Sequence, residues 1–458
     1  MMTYKKIAIY AIGAMLFASC SEDDGPTPED TDLARATREI ENLMKTPPTG
    51  EYAVGIFYQK DSWDGDQEGV PRDVPQYNRL TGATNEYNLS PMQTPVTQPD
   101  GPIKTWTGDP VNKPKAADIN RMQRQIDACV DNNIDFIILP AMDYEKGNNA
   151  RLNDGDHKYC KLISGQRGSA GENNEGVEQP AEGLYVDLKG LKYAYTINMG
   201  GNVRNSGDWK RRDAHNNEIN APELNYDNRI DVEAKDDYLP GRTLEDGTLW
   251  TRMMQLEALC KEIQKKFDEP GYYKIDGKNF VMLQDAHRLY AQDARRLYDK
   301  IREWLGGNVY LVAKNGDTWC PPARYEDFFI NGRVDAITNK PMYDGLQMGQ
   351  WPIHPECIYL NWEYSRNVWW NNFNGIDFIP TGQLSFNKWV KESNTRDAII
   401  QRDEQNFRKT CAIMRGMSGR SRIMLMYSLN EYRNDSFLEP TVEDGDKYLK
   451  IMKEEFNK

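Results

Sequence analysis

With 57 Lys and Arg against 70 Asp and Glu, the 458-residue chain carries a formal charge of −13 and offers no basic stripe of the kind that nucleic-acid binding requires. Hydrophobic residues make up 39% of it, with 11 Trp and 25 Tyr, enough for a large core in a chain too long to be a small module. The acidic balance is ordinary for a solvated surface, so it removes partners without naming one.

At the N-terminus, MMTYKK is a basic segment, IAIYAIGAMLFA an apolar one of about 12 residues, and Cys20 follows at once. That apolar run falls short of the roughly 20 residues a spanning helix needs. The pattern is that of a secretory signal over residues 1–19 ending in a lipid-modified Cys20, although Phe17 stands where such signals more often have Leu. SEDDGPTPEDTD comes next, acidic and proline-bearing, a composition that cannot bury an apolar face. Residues 20–49 are accordingly expected to be a lipidated, flexible tether. The acidic run behind the cysteine resembles the surface-export signal of Bacteroidetes lipoproteins, which implies an outer-membrane anchor facing outward.

From residue 50 to 458 one domain is expected. Eight short, β-rich apolar runs recur: Ala53 to Tyr58, Ile134 to Pro140, Tyr193 to Met199, Asn279 to Gln284, Val309 to Ala313, Val334 to Thr338, Ile376 to Pro380 and Arg422 to Ser428. Helical patterns lie between them, at Ala117 to Asn132, Leu249 to Phe267, Ala286 to Leu305 and Asp397 to Arg415, and Asp446 to Phe456 closes the chain. Ile119, Met122, Ile126, Cys129 and Val130 recur at spacings of three and four, which places them on one buried face. Eight strands alternating with helices predict a (β/α)8 barrel of the TIM type. CIYLNW, Cys357 to Trp362, reads as a ninth strand or a replacement for one of the eight. The stretches after the first three strands are long, and in a barrel such loops rise over the active site. SGQRGSAGENNEG, Ser164 to Gly176, does not join a strand directly to a helix, so it reads as a flexible loop and not a phosphate cradle.

Besides Cys20, the cysteines are Cys129, Cys160, Cys260, Cys320, Cys357 and Cys411, none in a C-x-x-C pair, and His157, His215, His287 and His354 share no ligand spacing. No metal and no cofactor are expected. A disulfide is permitted outside the cytoplasm, but the spacing assigns none.

Carboxylates just past strand ends face the mouth of a barrel, which singles out Asp143, Asp285 and Glu431. Asp285 precedes AHRLYAQDARRLY and also suits a helix N-cap. Glu431 lies in NEYRND, a polar turn behind the apolar IMLMY. The segment NEYRNDSFLEPTVEDGDKYL resembles the terminal motif of the family 99 and family 71-like glycoside hydrolases, including the WbsX-like group, whose pattern runs N-E-W-x-E-G, then E-P, then Gly and Tyr-Leu. The order of the earlier segments, GIFYQ, IDFIILP, YAYTINM and YYKIDGKNFVML, is similar too.

The resemblance implies a metal-free (β/α)8 glycosidase with two carboxylates at the turn after strand eight. The first, which deprotonates the sugar 2-hydroxyl so that it displaces the leaving group, falls on Glu431. The second, the general acid, falls on Asn434, with Tyr432 in place of Trp and Asp435 in place of Gly. A carboxamide does not titrate at working pH, so Asn434 can only position groups. The proton must then come from another carboxyl, Asp435, Glu439, Asp143 or Asp285, or hydrolysis is lost.

Asn430, Tyr432, Asn434, Trp209 and Trp362 are the expected substrate contacts. Trp63, Trp106, Trp369 and Trp370 are further aromatic residues able to stack on a sugar if exposed at the mouth. The expectation is a surface lipoprotein of glycoside hydrolase type acting on an α-linked polysaccharide, mannan or glucan. The alternative is a glycan-binding lipoprotein with a degenerate site.

Overall fold

In a computed structural model the described residues are 31–58, 116–139, 186–198, 211–215, 217–219, 230–231, 238–243, 246–284, 286, 289–290, 294–315, 334–339, 353–367, 375–387, 399–431 and 436–456. Eight parallel strands form the centre: β1 (Ala53–Phe57), β2 (Phe136–Ile138), β3 (Lys192–Asn198), β4 (Lys278–Gln284), β5 (Val309–Asn315), β6 (Ala336–Asn339), β7 in two halves, and β8 (Ile423–Tyr427). The halves of β7 are β7a (Asp377–Phe378), which pairs with β6, and β7b (Thr381–Gln383), which pairs with β8. Pro380 lies between them, has no N–H to give to a ladder, and accepts from Leu425 N at 3.0 Å, while Ile379 N still donates to Ile337 O at 2.9 Å. The chain thus changes partner at the proline. Because β8 also pairs with β1, this one strand closes the barrel.

All eight predicted runs are strands of the barrel. Alternate residues of each point inward, and Phe57, Phe136, Ile138, Ala194, Phe280, Met282, Val312, Ala336, Ile379, Ile423 and Leu425 pack together as the lumen core. The outward residues join the helices in a second, larger core. Gly55 faces the lumen where no side chain fits, since a Cβ there would lie 2.4 Å from the Phe136 ring.

At the base of the barrel an acid precedes or opens three strands in similar local sequence: Ile134-Asp135-Phe136, Val334-Asp335-Ala336 and Ile376-Asp377-Phe378. Asp135 N donates to Val54 O at 3.0 Å while Val54 N donates to its carboxylate at 2.6 Å. Asp335 repeats the exchange with Leu311, at 2.9 Å both ways. A two-way tie of this kind fixes the register between neighbouring strands, and a one-residue slip would turn every lumen side chain outward. Asp377, 1% exposed, accepts from the N–H groups of Phe378 at 3.0 Å, Arg420 at 2.7 Å and Ser421 at 2.7 Å. The turn that wraps it needs Gly419, where a Cβ would sit 1.6 Å from Asp377 Oδ1.

The outer helices are α1 (Asp32–Lys45), α2 (Ala116–Asp131), α3 (Arg252–Gln264), α4 (Ala294–Trp304), α5 (His354–Arg366), α6 (Glu404–Met417) and α7 (Lys447–Glu455). On α2 the predicted buried face holds, with Met122, Ile126 and Cys129 fully buried and Val130 packed beside them. Three expectations are corrected. The tether does not run to residue 49: Thr31 caps α1, and Ala36 and Ile40, spaced four apart, bury completely where α1 packs on α5 and α6. CIYLNW is not a strand but the centre of α5. The predicted helices at Leu249 and Ala286 start late, because Leu249–Thr251 and Leu289–Tyr290 are short strands.

Candidate active site

Moving up the lumen from base to mouth, the inward positions change from apolar to polar. β4 runs Phe280, Met282, Gln284; β5 runs Tyr310, Val312, Lys314; β6 runs Ala336, Thr338; β7 runs Ile379, Thr381, Gln383; β8 runs Ile423, Leu425, Tyr427. The strand registers set Gln284 beside Lys314, Lys314 beside Thr338, and Gln383 beside Tyr427. The uppermost layer is therefore a polar floor across the C-terminal ends of the strands. In a (β/α)8 barrel that end is where chemistry is done.

The contacts in this floor link it into one site. Thr338 and Thr381 share a hydrogen bond of 2.6 Å between their hydroxyls. The Lys314 ammonium, on a side chain only 6% exposed, lies 4.5 Å from the centre of the Phe57 ring and 5.5 Å from that of Tyr427. A cation held over two ring faces this far from water is attracted by both quadrupoles. The Tyr427 hydroxyl in turn stands 3.5 Å from Glu431 Oε2, at the long limit of a hydrogen bond.

Glu431 is 2% exposed and is carried on a tight hairpin behind β8, formed by β9 (Asn430–Glu431) and β10 (Ser436–Phe437). Serine hydroxyls pin that hairpin. Ser428 Oγ accepts from Glu431 N at 2.8 Å and donates to Ser436 O at 2.9 Å, and Ser436 Oγ donates to Ser385 O at 2.6 Å. The last of these bonds ties the Glu431 hairpin to the segment just past Gln383. The site thus combines a buried carboxylate on a braced backbone with a tyrosine whose ring meets a buried ammonium and whose hydroxyl meets that carboxylate.

Glu439, considered as a source of the missing proton, is placed differently. It is 1% exposed and accepts from Gln125 Nε2 at 2.6 Å, and Gln125 Oε1 accepts from the Tyr58 hydroxyl at 2.5 Å. Tyr58 follows Phe57 and so faces away from the lumen, and Gln125 lies on α2. This chain of bonds links the segment after the hairpin to β1 and α2 in the helix layer.

Of the predicted site residues, Glu431 lies buried on the hairpin that follows β8, and Asn430 beside it is fully buried opposite Phe437. Trp362 is corrected. It lies on α5 at 1% exposure, edge-on to Phe378 with ring centres 6.4 Å apart, between helix and barrel, and has no face open to a sugar. Asp143, Asp285, Tyr432, Asn434, Asp435, Trp209 and Cys20 lie outside the described residues. So do Trp63, Trp106, Trp369 and Trp370. Sequence reasoning missed Lys314 and Gln383. Extending the period-two alternation one residue beyond Ala313, and past Pro380 to Gln383, would have found both. Among the described residues, no group of three or more His, Cys, Asp or Glu side chains is placed to hold a metal ion.

A parallel barrel with a polar mouth and a buried carboxylate behind its last strand can be compared with known structures. The fold is that of a solved glycoside hydrolase-like protein. The two share 21% identity, with 91% of this chain and 99% of the other aligned at a TM-score of 0.58. The endo-alpha-mannosidase of family GH99 from Bacteroides thetaiotaomicron, in complex with BIS-TRIS-propane, aligns over 88% of this chain and 96% of its own at 12% identity and a TM-score of 0.46. At 21% identity the first of these likenesses speaks to the fold alone. No protein-family model matches the sequence, and no curated protein does.

Proposed function

We propose that this chain is a carbohydrate-active barrel of the glycoside hydrolase type, acting on an α-linked polysaccharide of mannan or glucan kind. In this reading it is held at the outer membrane, facing outward, by a lipid on Cys20. The observation that carries the proposal is Glu431: a carboxylate 2% exposed, braced by Ser428 and set at the strand-eight end of a polar floor, at the position where the sequence motif resembles the first carboxylate of the family 99 enzymes. In that role Glu431 takes the proton of the sugar 2-hydroxyl, and the freed oxygen displaces the leaving group. The leaving oxygen needs a proton that Asn434 does not have. The carboxyls considered for that proton are Asp435, Asp143, Asp285 and Glu439, the last of which is bonded to Gln125.

Asn434 favours a second reading, a glycan-binding protein that kept the barrel and lost its acid. The test offers the purified chain without its signal an α-mannan and α-glucan panel, and scores both binding and reducing-end release for the wild type and Glu431→Gln. Release that falls by about 10² or more in the variant supports a base at Glu431. Binding with no release supports the second reading. Neither binding nor release on any member of the panel removes the carbohydrate proposal.

A further inference from the structure

Gln383 has no explanation in the fold. Its side chain is 2% exposed, and among the described residues neither the amide oxygen nor the amide nitrogen, both buried, has a hydrogen-bond partner. Buried polar atoms are nearly always paired, because an unpaired one forfeits its bonds to water and gains none in return. A well-packed Met or Leu would serve the barrel better at this position. Neighbouring polar groups show the contrast: Thr338 and Thr381 satisfy each other at 2.6 Å.

The position says what the amide faces. Gln383 is two residues beyond Thr381 on the same strand, hence on the same inward face, and beside Tyr427 in register. The Tyr427 hydroxyl is 3.5 Å from Glu431, and the Ser436 to Ser385 bond of 2.6 Å ties the Glu431 hairpin to the strand end that carries Gln383. An amide offers one donor group and one acceptor at fixed spacing in one plane, which suits a pair of neighbouring hydroxyls, one accepting and one donating.

We propose that Gln383 is a substrate-positioning residue whose side-chain amide takes two adjacent hydroxyls of the sugar held over Glu431. The inference rests on the carbohydrate reading above. It adds a specificity element: a sugar lacking one of those hydroxyls leaves half of the amide unpaired and is rejected.

The test compares wild type with Gln383→Met, which keeps the length and removes both polar atoms, and with Gln383→Glu, which keeps the acceptor and removes the donor. Two quantities are read: the melting temperature without glycan, and affinity for α-mannan- and α-glucan-derived oligosaccharides by calorimetry. The expected result is a melting temperature unchanged or raised in Gln383→Met, with affinity weakened by about tenfold or more and Gln383→Glu in between. A melting temperature lowered by more than about 3 °C in Gln383→Met would show that the amide serves the fold, and would overturn the proposal whatever the glycans do. Wild-type binding that both variants retain in full would overturn this subsite and leave the carbohydrate reading standing. No binding by the wild type to any of the oligosaccharides would overturn both.

Discussion

The base and the mouth of this barrel both hold buried acids, and they are held in opposite ways. Asp377 at the base is enclosed by three backbone N–H groups within 3.0 Å, and Asp135 and Asp335 are each tied both ways to the neighbouring strand. Each of these carboxylates completes the backbone around it. At the mouth, the backbone of Glu431 is the part that is fixed, by Ser428, while its carboxylate meets a tyrosine hydroxyl at 3.5 Å. Acids whose oxygens are saturated by main chain hold the fold. At Glu431 the serine braces the main chain, and the carboxylate meets a side chain, the Tyr427 hydroxyl.

Substitutions at the base give the largest expected effect and can break this contrast. Asp377→Ala strands three N–H groups, each costing roughly 1–3 kcal/mol when buried without a partner, so urea unfolding should show a loss of about 3 kcal/mol or more. Gly419→Ala should be comparably harmful through steric conflict with the same carboxylate. A small stability change in both would mean that the base does not depend on Asp377.

Asp335→Ala comes next. It loses the Leu311 N–H bond and the half-buried Arg302 pair at 2.7 Å, and should cost about 2 kcal/mol by the same assay. Function per folded molecule should be unaltered, which sharpens the division between the two ends.

At the mouth, Tyr427→Phe keeps the ring near Lys314 and removes the hydroxyl facing Glu431. Stability should stay within about 1 kcal/mol of wild type, and activity or affinity should fall by up to tenfold. A stability loss as large as that at Asp335 would blur the two regions.

The smallest effect concerns thiols in the helix layer. Burial pushes Cys129, Cys260 and Cys411 well above the ordinary thiol range, and Cys357 up to about 11. At pH 8 all four stay protonated, and only the thiolate reacts. Alkylation of these four in the native protein should therefore be slow, with Cys357 responding first as pH rises toward 11. Fast modification of Cys129 at pH 8, read by peptide mass spectrometry, would contradict the packing of α2 on the barrel.

The strands were legible because a barrel buries both faces of each one, and a doubly buried strand reads as an uninterrupted apolar run such as IMLMY. The same rule misled at CIYLNW. α5 packs against both α1 and α6 as well as the barrel, so much of its sequence is apolar or buried and lacks the broad polar stripe that marks a surface helix. α1 was hidden by the acidic composition around it, although Leu33, Ala36, Ile40 and Leu43 already had helical spacing.

At the site, Glu431 was legible from the motif after β8. Lys314 and Gln383 were not, because a strand read from apolar content ends where its polar top layer begins. That top layer is where the lumen stops serving the core.

The most direct test of the distinction between base and mouth is to measure glycan turnover and unfolding together on Glu431→Gln, using the oligosaccharide the wild type cleaves or binds best. Gln keeps the hydrogen-bonding shape and removes the charge that accepts a proton. The account predicts that turnover falls by about 10² or more, or, if the protein only binds, that affinity alone shifts modestly, with unfolding free energy within about 1 kcal/mol of wild type in either case. Robust turnover that is indifferent to Glu431→Gln, or an unfolding loss as large as that of Asp377→Ala, would contradict it.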